Sequence, residues 1–408
     1  MMSRPIVQSL IIFALLAVPV LIYFAPSFVA LLYRIVTFLA PLWLPVALFA
    51  IAWPLWLNVI RSRFVDSIPY VTLELKPGDE TPSTAKAMEL VFYSLYHRTN
   101  ISRLDAYLHG KVRSSWSFEV YAHNGRVRFF AHVPESYRVL LEGRIQAEYR
   151  DIDIHEVRDY SRELHFDPLH MRLTAREYTL AKPDPYPLKT YVSYEGGQGK
   201  RDVFGEIVEG LAHTNTHEHV FLSIIMRPHQ RDRYNIFENP RDTLHEAAHI
   251  EIKKLVGAQG EMSKLAPATK TIVSAIESAL NKPSFDCGIR SLYIADRDHF
   301  DESYEQKLTH LLDPLNDNDL NSFVAYDPNH RPGFVLSEIF GAVPILASSH
   351  LLNLYRRRAF FAPPYYGKAF VLNTEELATL FHLPHASRGS ALARMRGLTL
   401  EPPENLPV

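Results

Sequence analysis

Val71, Leu73 and Leu75 alternate with Thr72, Glu74 and Lys76, the period-two pattern of a β-strand over about residues 69–76. Thr81-Pro82 then offers an N-cap and a first helical position. Met88, Val91, Phe92 and Leu95 return at the spacing of one helical face. Trp116, Phe118 and Val120 alternate with Ser117, Glu119 and Tyr121, Asn124-Gly125 signals a two-residue hairpin, and Val127, Phe129, Ala131 and Val133 alternate on the way back. A helix opening at Pro134-Glu135 carries Val139, Leu140 and Ile145, and Asp151–Arg158 reads as a closing strand. The order β-α-β-β-α-β is that of a ferredoxin-like split βαβ unit, over residues 64–162.

The order recurs over residues 188–328. Leu188–Glu195 reads as a strand, Asp202–His213 as a helix, Val220–Met226 and Cys287–Ala295 as strands, Phe300–Leu312 as a helix and Asn321–Tyr326 as a strand. An insertion over about residues 232–282 reads as helical. Residues 163–187 form a connector with its own short strand near Met171–Leu180. Residues 329–408 change character: Phe334–Leu354 is a buried helix rather than a third span, because Glu338, Pro344 and His350 are costly at mid-bilayer. The tail Glu401–Val408 is proline-rich and extended.

The amino-terminal 63 residues follow another rule. Between Pro5 and Ile60 the only charge is Arg34, flanked by apolar runs at about residues 6–32 and 36–60, each long enough to cross a bilayer. A cleaved signal peptide is disfavoured, since the second run follows almost at once. The pattern predicts a transmembrane helical hairpin, and Arg4, Arg61 and Arg63 place both of its ends in the cytoplasm. The expected class is therefore α+β: an N-terminal transmembrane helical hairpin followed by two ferredoxin-like split βαβ units, the second with a helical insertion. The protein would be a multi-pass component of the inner cell membrane with a cytoplasmic soluble part.

Composition narrows the function. The 408 residues carry 43 Lys+Arg against 45 Asp+Glu, so electrostatic gripping of nucleic acid is not the expected task, and no direct sequence-specific nucleic-acid binding is expected. The single cysteine, Cys287, excludes an internal disulfide and a cysteine-rich zinc site.

His245-Glu246-Ala247-Ala248-His249 matches H-E-x-x-H. On a helix it puts two imidazoles on one face with Glu246 as base, the zinc-peptidase arrangement. A third ligand is needed. Glu251 is too close on the helix, Glu261 and Glu277 serve only by assumption, and the flanks look like an ordinary solvated helix. Metal binding through His245 and His249 therefore remains the alternative, and the main expectation is no catalytic, cofactor-binding or metal residue at all. Gly196–Lys200 lacks the first Gly and the Ser/Thr of a phosphate loop and reads as a turn. His213, His217 and His219 could chelate a metal but read as a polar connector. Arg356–Arg358 could meet phosphate or a lipid headgroup but reads as a solvated helix end.

Asn373-Thr374-Glu375-Glu376-Leu377-Ala378-Thr379-Leu380-Phe381-His382-Leu383-Pro384, then Pro402-Pro403-Glu404-Asn405-Leu406-Pro407, resembles the segment that precedes the ATPase core in membrane-anchored conjugative DNA-transfer ATPases. These are the coupling proteins of type IV secretion, related to HerA/FtsK-like translocases. The resemblance implies the family's N-terminal membrane and assembly module, and the chain ends where the family's ATPase would begin. It therefore implies a membrane-anchored, non-catalytic adaptor in the lipid bilayer that docks a HerA/FtsK-like or coupling-protein ATPase on a separate chain, with self-association into a homo-oligomer left open. Leu377, Leu380 and Phe381, the apolar side of a short helix, are the expected docking residues.

Overall fold

The computed structural model describes residues 26–78, 84–149, 151–195, 201–230, 243–257, 266–328 and 344–384. Residues up to Val59 form one unit and the rest of the chain a second.

In the first unit, α1 (Pro26–Phe38) is followed after Leu39 by α2 (Ala40–Ser67), whose last turns belong to the second unit. The chain does not reverse at Arg34 as the hydrophobicity pattern suggested. Arg34 lies inside α1, and Leu39 N–H donates to Ile35 O while Trp43 N–H donates to Leu39 O. These bonds end α1 and begin α2 at Leu39, so the helix is interrupted there and not at Arg34. A single arginine between apolar runs breaks a hydropathy plot without breaking a helix. Residues 6–25 of the expected first span lie outside the described residues. Among the described residues one helix, α2, is long and apolar enough to cross a membrane. Its stretch from Ala40 to Ile60 is about 31 Å long at 1.5 Å per residue, matching a hydrocarbon core. Phe49 (63% exposed) and Leu42 (75%) show how little of its apolar surface this chain covers.

The second unit is a mixed α+β body built on one large antiparallel sheet. Its strands are β1 (Tyr70–Pro77), β2 (Trp116–His123), β3 (Arg126–Pro134), β4 (Ile152–Val157), β5 (Met171–Leu180), β6 (Glu218–Pro228), β7 (Ser284–Asp296) and β8 (Phe323–Tyr326). They lie in the order β4-β1-β3-β2-β6-β7-β5-β8. Read outward from the central β2–β6 pair, the two halves have matching orders: second, third, first and fourth strand of each. Asn124 and Gly125, both at positive φ, close the β2–β3 hairpin as the Asn-Gly pair predicts.

One strand is reassigned. The first strand of the second half is β5, in the stretch expected to be a connector. Leu188–Glu195 instead carries a short helix, α7 (Tyr191–Glu195). The helical insertion is present as α9 (Thr243–Val256) and α10 (Pro267–Leu280), and α8 (Val203–Leu211) and α11 (Ser303–Thr309) fill the remaining helical positions of that half. The first half has α3 (Ala85–Leu95), α4 (Arg103–Leu108), α5 (Arg138–Glu148) and the single turn α6 (Tyr160–Glu163).

Strand alternation sorts side chains between two cores. Phe129, Val220, Leu222, Ile289 and Tyr293 join the main core with Met88, Phe92, Leu141 and Val208 of the helices. Phe130, Phe221, Leu292 and Ile294 point the other way, into a smaller cluster with Leu351, Leu352 and Tyr355 of α12 (Pro344–Arg356). The sheet is therefore covered on both faces over its centre, so residues on its second face, such as Ser117 and Glu119, are buried although they are polar.

After α12 the chain crosses the second face through the short hairpin β9 (Phe361–Ala362) and β10 (Tyr365–Tyr366). Gly288 permits this crossing: a Cβ there would lie 2.2 Å from the Phe360 ring. β11 (Phe370–Asn373) then pairs with the first part of β7, on the edge whose later residues pair with β5. α13 (Thr374–Leu380) starts in a full capping box. Asn373 Oδ1 accepts from the N–H groups of Glu375 and Glu376, and Glu376 Oε2 accepts from Asn373 N–H at 2.8 Å. The second Glu376 oxygen accepts from Leu188 N–H at 2.7 Å, tying a distant segment to this cap. Asn373→Ala is expected to cost about 1 kcal/mol in urea-induced unfolding. An effect below a few tenths would show that the box does not hold the helix.

Candidate functional site

Three consecutive arginines end α12, and the fold gives each a different fate. Arg358 sits at φ +49°, in the left-handed region that a bulky residue seldom adopts, and turns back into the protein. Its Nε donates to Glu119 Oε1 at 2.9 Å and its Nη2 to Glu119 Oε2 at 3.0 Å, a bidentate pair. Nη2 also donates to Asp159 Oδ1 at 3.0 Å and Nη1 to Arg356 O at 2.8 Å. Glu119 itself is wholly buried and accepts further hydrogen bonds from Ser117 Oγ at 2.6 Å and Tyr160 Oη at 2.8 Å. Tyr160 and Tyr355 share a hydrogen bond at 2.7 Å.

Burial alone would raise the Glu119 pKa, but the Arg358 charge and hydrogen bonds outweigh it and hold the carboxyl below its ordinary value. For Asp159 the same contest between burial and Arg358 ends at about 2. His132 faces the same group from β3. Desolvation, helped by the Arg358 charge, lowers it to about 3, so it is neutral at neutral pH. Its Nδ1 lies 2.9 Å from Thr72 Oγ1 and its ring stacks on Tyr70 at 4.9 Å.

In front of this network is a cleft of about 490 Å³. The end of α2 (Val65, Asp66), β1, β4 and the segment after α12 enclose it. Six arginines (Arg113, Arg158, Arg162, Arg356, Arg357, Arg358) and three carboxylates (Asp66, Glu156, Asp159) line it, so the wall is net positive. Arg356 donates to Ser161 O at 2.9 Å and Leu164 O at 2.6 Å, which fixes it as a splint between α12 and α6. Arg357 pairs with Asp66 at the exposed rim. The cleft can receive an anionic group by hydrogen bonding and charge. Its buried carboxylates are ion-paired and its histidine is neutral, an arrangement suited to holding rather than to proton transfer.

Two more buried ion pairs brace the second half. Glu177 Oε1 accepts from Arg290 Nε and Nη2 at 3.0 and 2.6 Å, and Glu177 Oε2 accepts from the hydroxyls of Tyr326 and Tyr365, each at 2.7 Å. Asp286, despite burial, is held at about 2 by His229, Arg227 and Arg113. Sequence reading missed Glu119, Asp159, Arg290 and Glu177. Each is a charge inside a period-two strand or at a strand end, which reads as solvent-facing until something covers the second face.

The residues singled out from sequence are dispersed. His245 and His249 are exposed on α9, Glu246 is half-buried beside them, and no group of three potential metal ligands among the described residues includes either histidine. Glu251 accepts from Tyr186 Oη and Lys254 Nζ. The zinc-peptidase alternative thus gains no third ligand there. The glycine-rich stretch 196–200 and the tail 401–408 lie outside the described residues. His213 caps α8 through Glu209 O, and His219 stacks on His123 at 4.2 Å.

Leu377, Leu380 and Phe381 are not on a surface. Their exposures are 0%, 2% and 0%, and the Phe381 ring packs 5.1 Å from Phe118 and 5.5 Å from Phe204. The apolar side of α13 faces this chain's own core, so docking through these residues is set aside.

A family model described as a domain of unknown function (DUF8128) matches residues 66–331, a span running from the end of α2 through β8. No curated protein matches the chain.

Proposed function

We propose that this chain, which belongs to the family of that domain of unknown function (DUF8128), is a membrane-anchored, non-catalytic assembly module of a DNA-transfer apparatus of the type IV secretion or conjugation kind. It seats a HerA/FtsK-like or coupling-protein translocase ATPase at the cytoplasmic face of the inner membrane. The observation that carries the anchored part is α2, whose apolar side chains are largely exposed among the described residues. Arg61 and Arg63, directly after the apolar stretch, favour the cytoplasmic side for the soluble body. Among the described residues α2 supplies one crossing, and most of the other expected span, residues 6–25, lies outside them. The matching strand orders of the two halves support a reading as two ferredoxin-like units joined edge to edge through β2 and β6. The DNA-transfer assignment itself rests on the resemblance of residues 373–384 and 402–407.

The full-length protein is expected to stay in the membrane pellet through an alkaline carbonate wash. Leu48→Lys with Ile51→Lys should release it, since each charge near mid-bilayer costs about 2.5–3.5 kcal/mol. Solubilised in mild detergent, it should co-purify with a nucleotide-hydrolysing translocase. Recovery in the soluble fraction without detergent would end the anchored reading. Recovery as a lone subunit across gentle conditions would end the assembly reading.

A further inference from the structure

The antiparallel β6–β7 ladder does not stop at its last formal pair, Glu218↔Ala295. Asp296 N–H donates to His217 O, so His217 and Asp296 face each other one step farther along. A short 3₁₀ turn, Arg297–His299, then brings His299 back over the same point. The His217 and His299 rings stack with centroids 4.0 Å apart and planes within 10°, and His217 Nδ1 lies 2.8 Å from Asp296 Oδ2. One ligand atom from each of the three residues can be chosen so that all lie within 4.8 Å of one another.

We propose that His217, Asp296 and His299 form a binding site for a borderline divalent transition-metal ion, of which zinc is the reference case. Two imidazole nitrogens and one carboxylate oxygen suit zinc, cobalt, nickel or copper far better than calcium or magnesium, which take oxygen ligands. A tetrahedral ion with bonds of about 2.0–2.1 Å needs ligand atoms about 3.3 Å apart. The His217–Asp296 separation opens by about half an ångström to reach that value, and the third ligand closes in from its present distance. Both histidines are exposed, and His217 retains about half of its side-chain exposure, so rotation of the rings meets little resistance. Three protein ligands leave a fourth position for water, the open form of a zinc site. Bound there, the ion ties the turn after β7 to the start of β6. The guanidinium of the adjoining Arg297 donates to Pro168 O at 3.0 Å.

This site differs from the one that H-E-x-x-H suggested, and zinc stoichiometry separates them. The full-length protein in detergent, with any affinity tag removed, is dialysed against micromolar zinc, and bound metal is measured by mass spectrometry. One equivalent is expected for the wild type and for His245→Ala, and less than a tenth of that for His217→Ala and for His299→Ala. Near-UV circular dichroism checks that each variant remains folded. Cobalt loading gives a second readout: the visible d–d absorption of four-coordinate cobalt should appear in the wild type and be absent from His217→Ala. Zinc at background level in the folded wild type overturns the proposal. So does zinc that persists in both His217→Ala and His299→Ala, or that is lost in His245→Ala instead.

Discussion

Arg358→Met is expected to lower the free energy of unfolding by about 3–5 kcal/mol, because it leaves Glu119 charged and buried without its partner. Urea titration in mild detergent, followed through the buried Trp116, measures it. The size of the effect comes from the stranded carboxylate and not from the worth of the pair. Glu119→Gln combined with Arg358→Met should therefore recover much of the loss. A single variant within 1 kcal/mol of wild type would mean that the carboxylate is hydrated in solution and that the fold does not depend on the pair.

The pH dependence of the same variant provides a second check. In the wild type Glu119 is depressed and Asp159 stands at about 2, so their contributions are complete above the ordinary carboxylate range and disappear as pH falls through the folded values. His132 acts in the same direction at higher pH. The unfolded chain takes up a proton near 6.5 and the folded one only at about 3, so acidification across that window costs at most about 1.4 kcal/mol per pH unit. Glu376 opposes it. Burial raises its folded pKa to about 7, although the N–H groups of Asn373 and Leu188 pull it down. The folded state then holds a proton that the unfolded state releases, and acidification from 7 to the ordinary glutamate value favours folding. The two effects offset each other to about pH 4.5, below which stability should drop steeply. In Arg358→Met the sign at Glu119 reverses: without the guanidinium, burial raises its pKa, so the variant's deficit should shrink as pH falls toward 4. A deficit that is constant with pH would show that the lost stability is packing, not charge.

How much of this was legible in the sequence depended on what covered each residue. β1, β2, β3, β6 and β7 could be read because one face of each is apolar in strict alternation, and Asn124-Gly125 allows only a tight turn. β5 was read as a strand, Met171–Leu180, but its place as the first strand of the second half was not, because Leu188–Glu195 was taken for that strand. In the fold Arg176 of β5 pairs with Glu305 of α11, and Glu177 forms the buried pair with Arg290. The anchor's composition was legible, but its helix boundary was not, since hydropathy placed the break at Arg34 and the fold places it at Leu39. The arginine cleft was invisible because residues from the ends of α2 and α12, nearly 300 positions apart, must meet before a wall exists. His217 was visible as one of three close histidines. Asp296 and His299, some 80 residues on, join it only through the β6–β7 register.

Phe381→Ala should destabilise the protein by about 3–5 kcal/mol, the range for deleting a buried aromatic ring. The sequence pattern had offered Phe381, with Leu377 and Leu380, as the contact for a partner, and a docking residue would behave in the opposite way: stability unchanged, partner lost. In the fold the ring lies among Phe118, Phe129 and Phe204, from two central strands and a helix of the other half. Its removal therefore opens a void where the two halves share one core. Neighbouring side chains are held by a continuous sheet and cannot collapse into that void cheaply, which places the expected cost high in the range. Leu104→Ala, at a residue 70% exposed on α4, is the control and should stay within about 0.5 kcal/mol of wild type. A folded Phe381→Ala of wild-type stability that failed to retain a translocase co-purifying with the wild type would restore the docking role. A large loss of stability would mean that residues 370–383 are kept by packing, as a strand and helix that close the core.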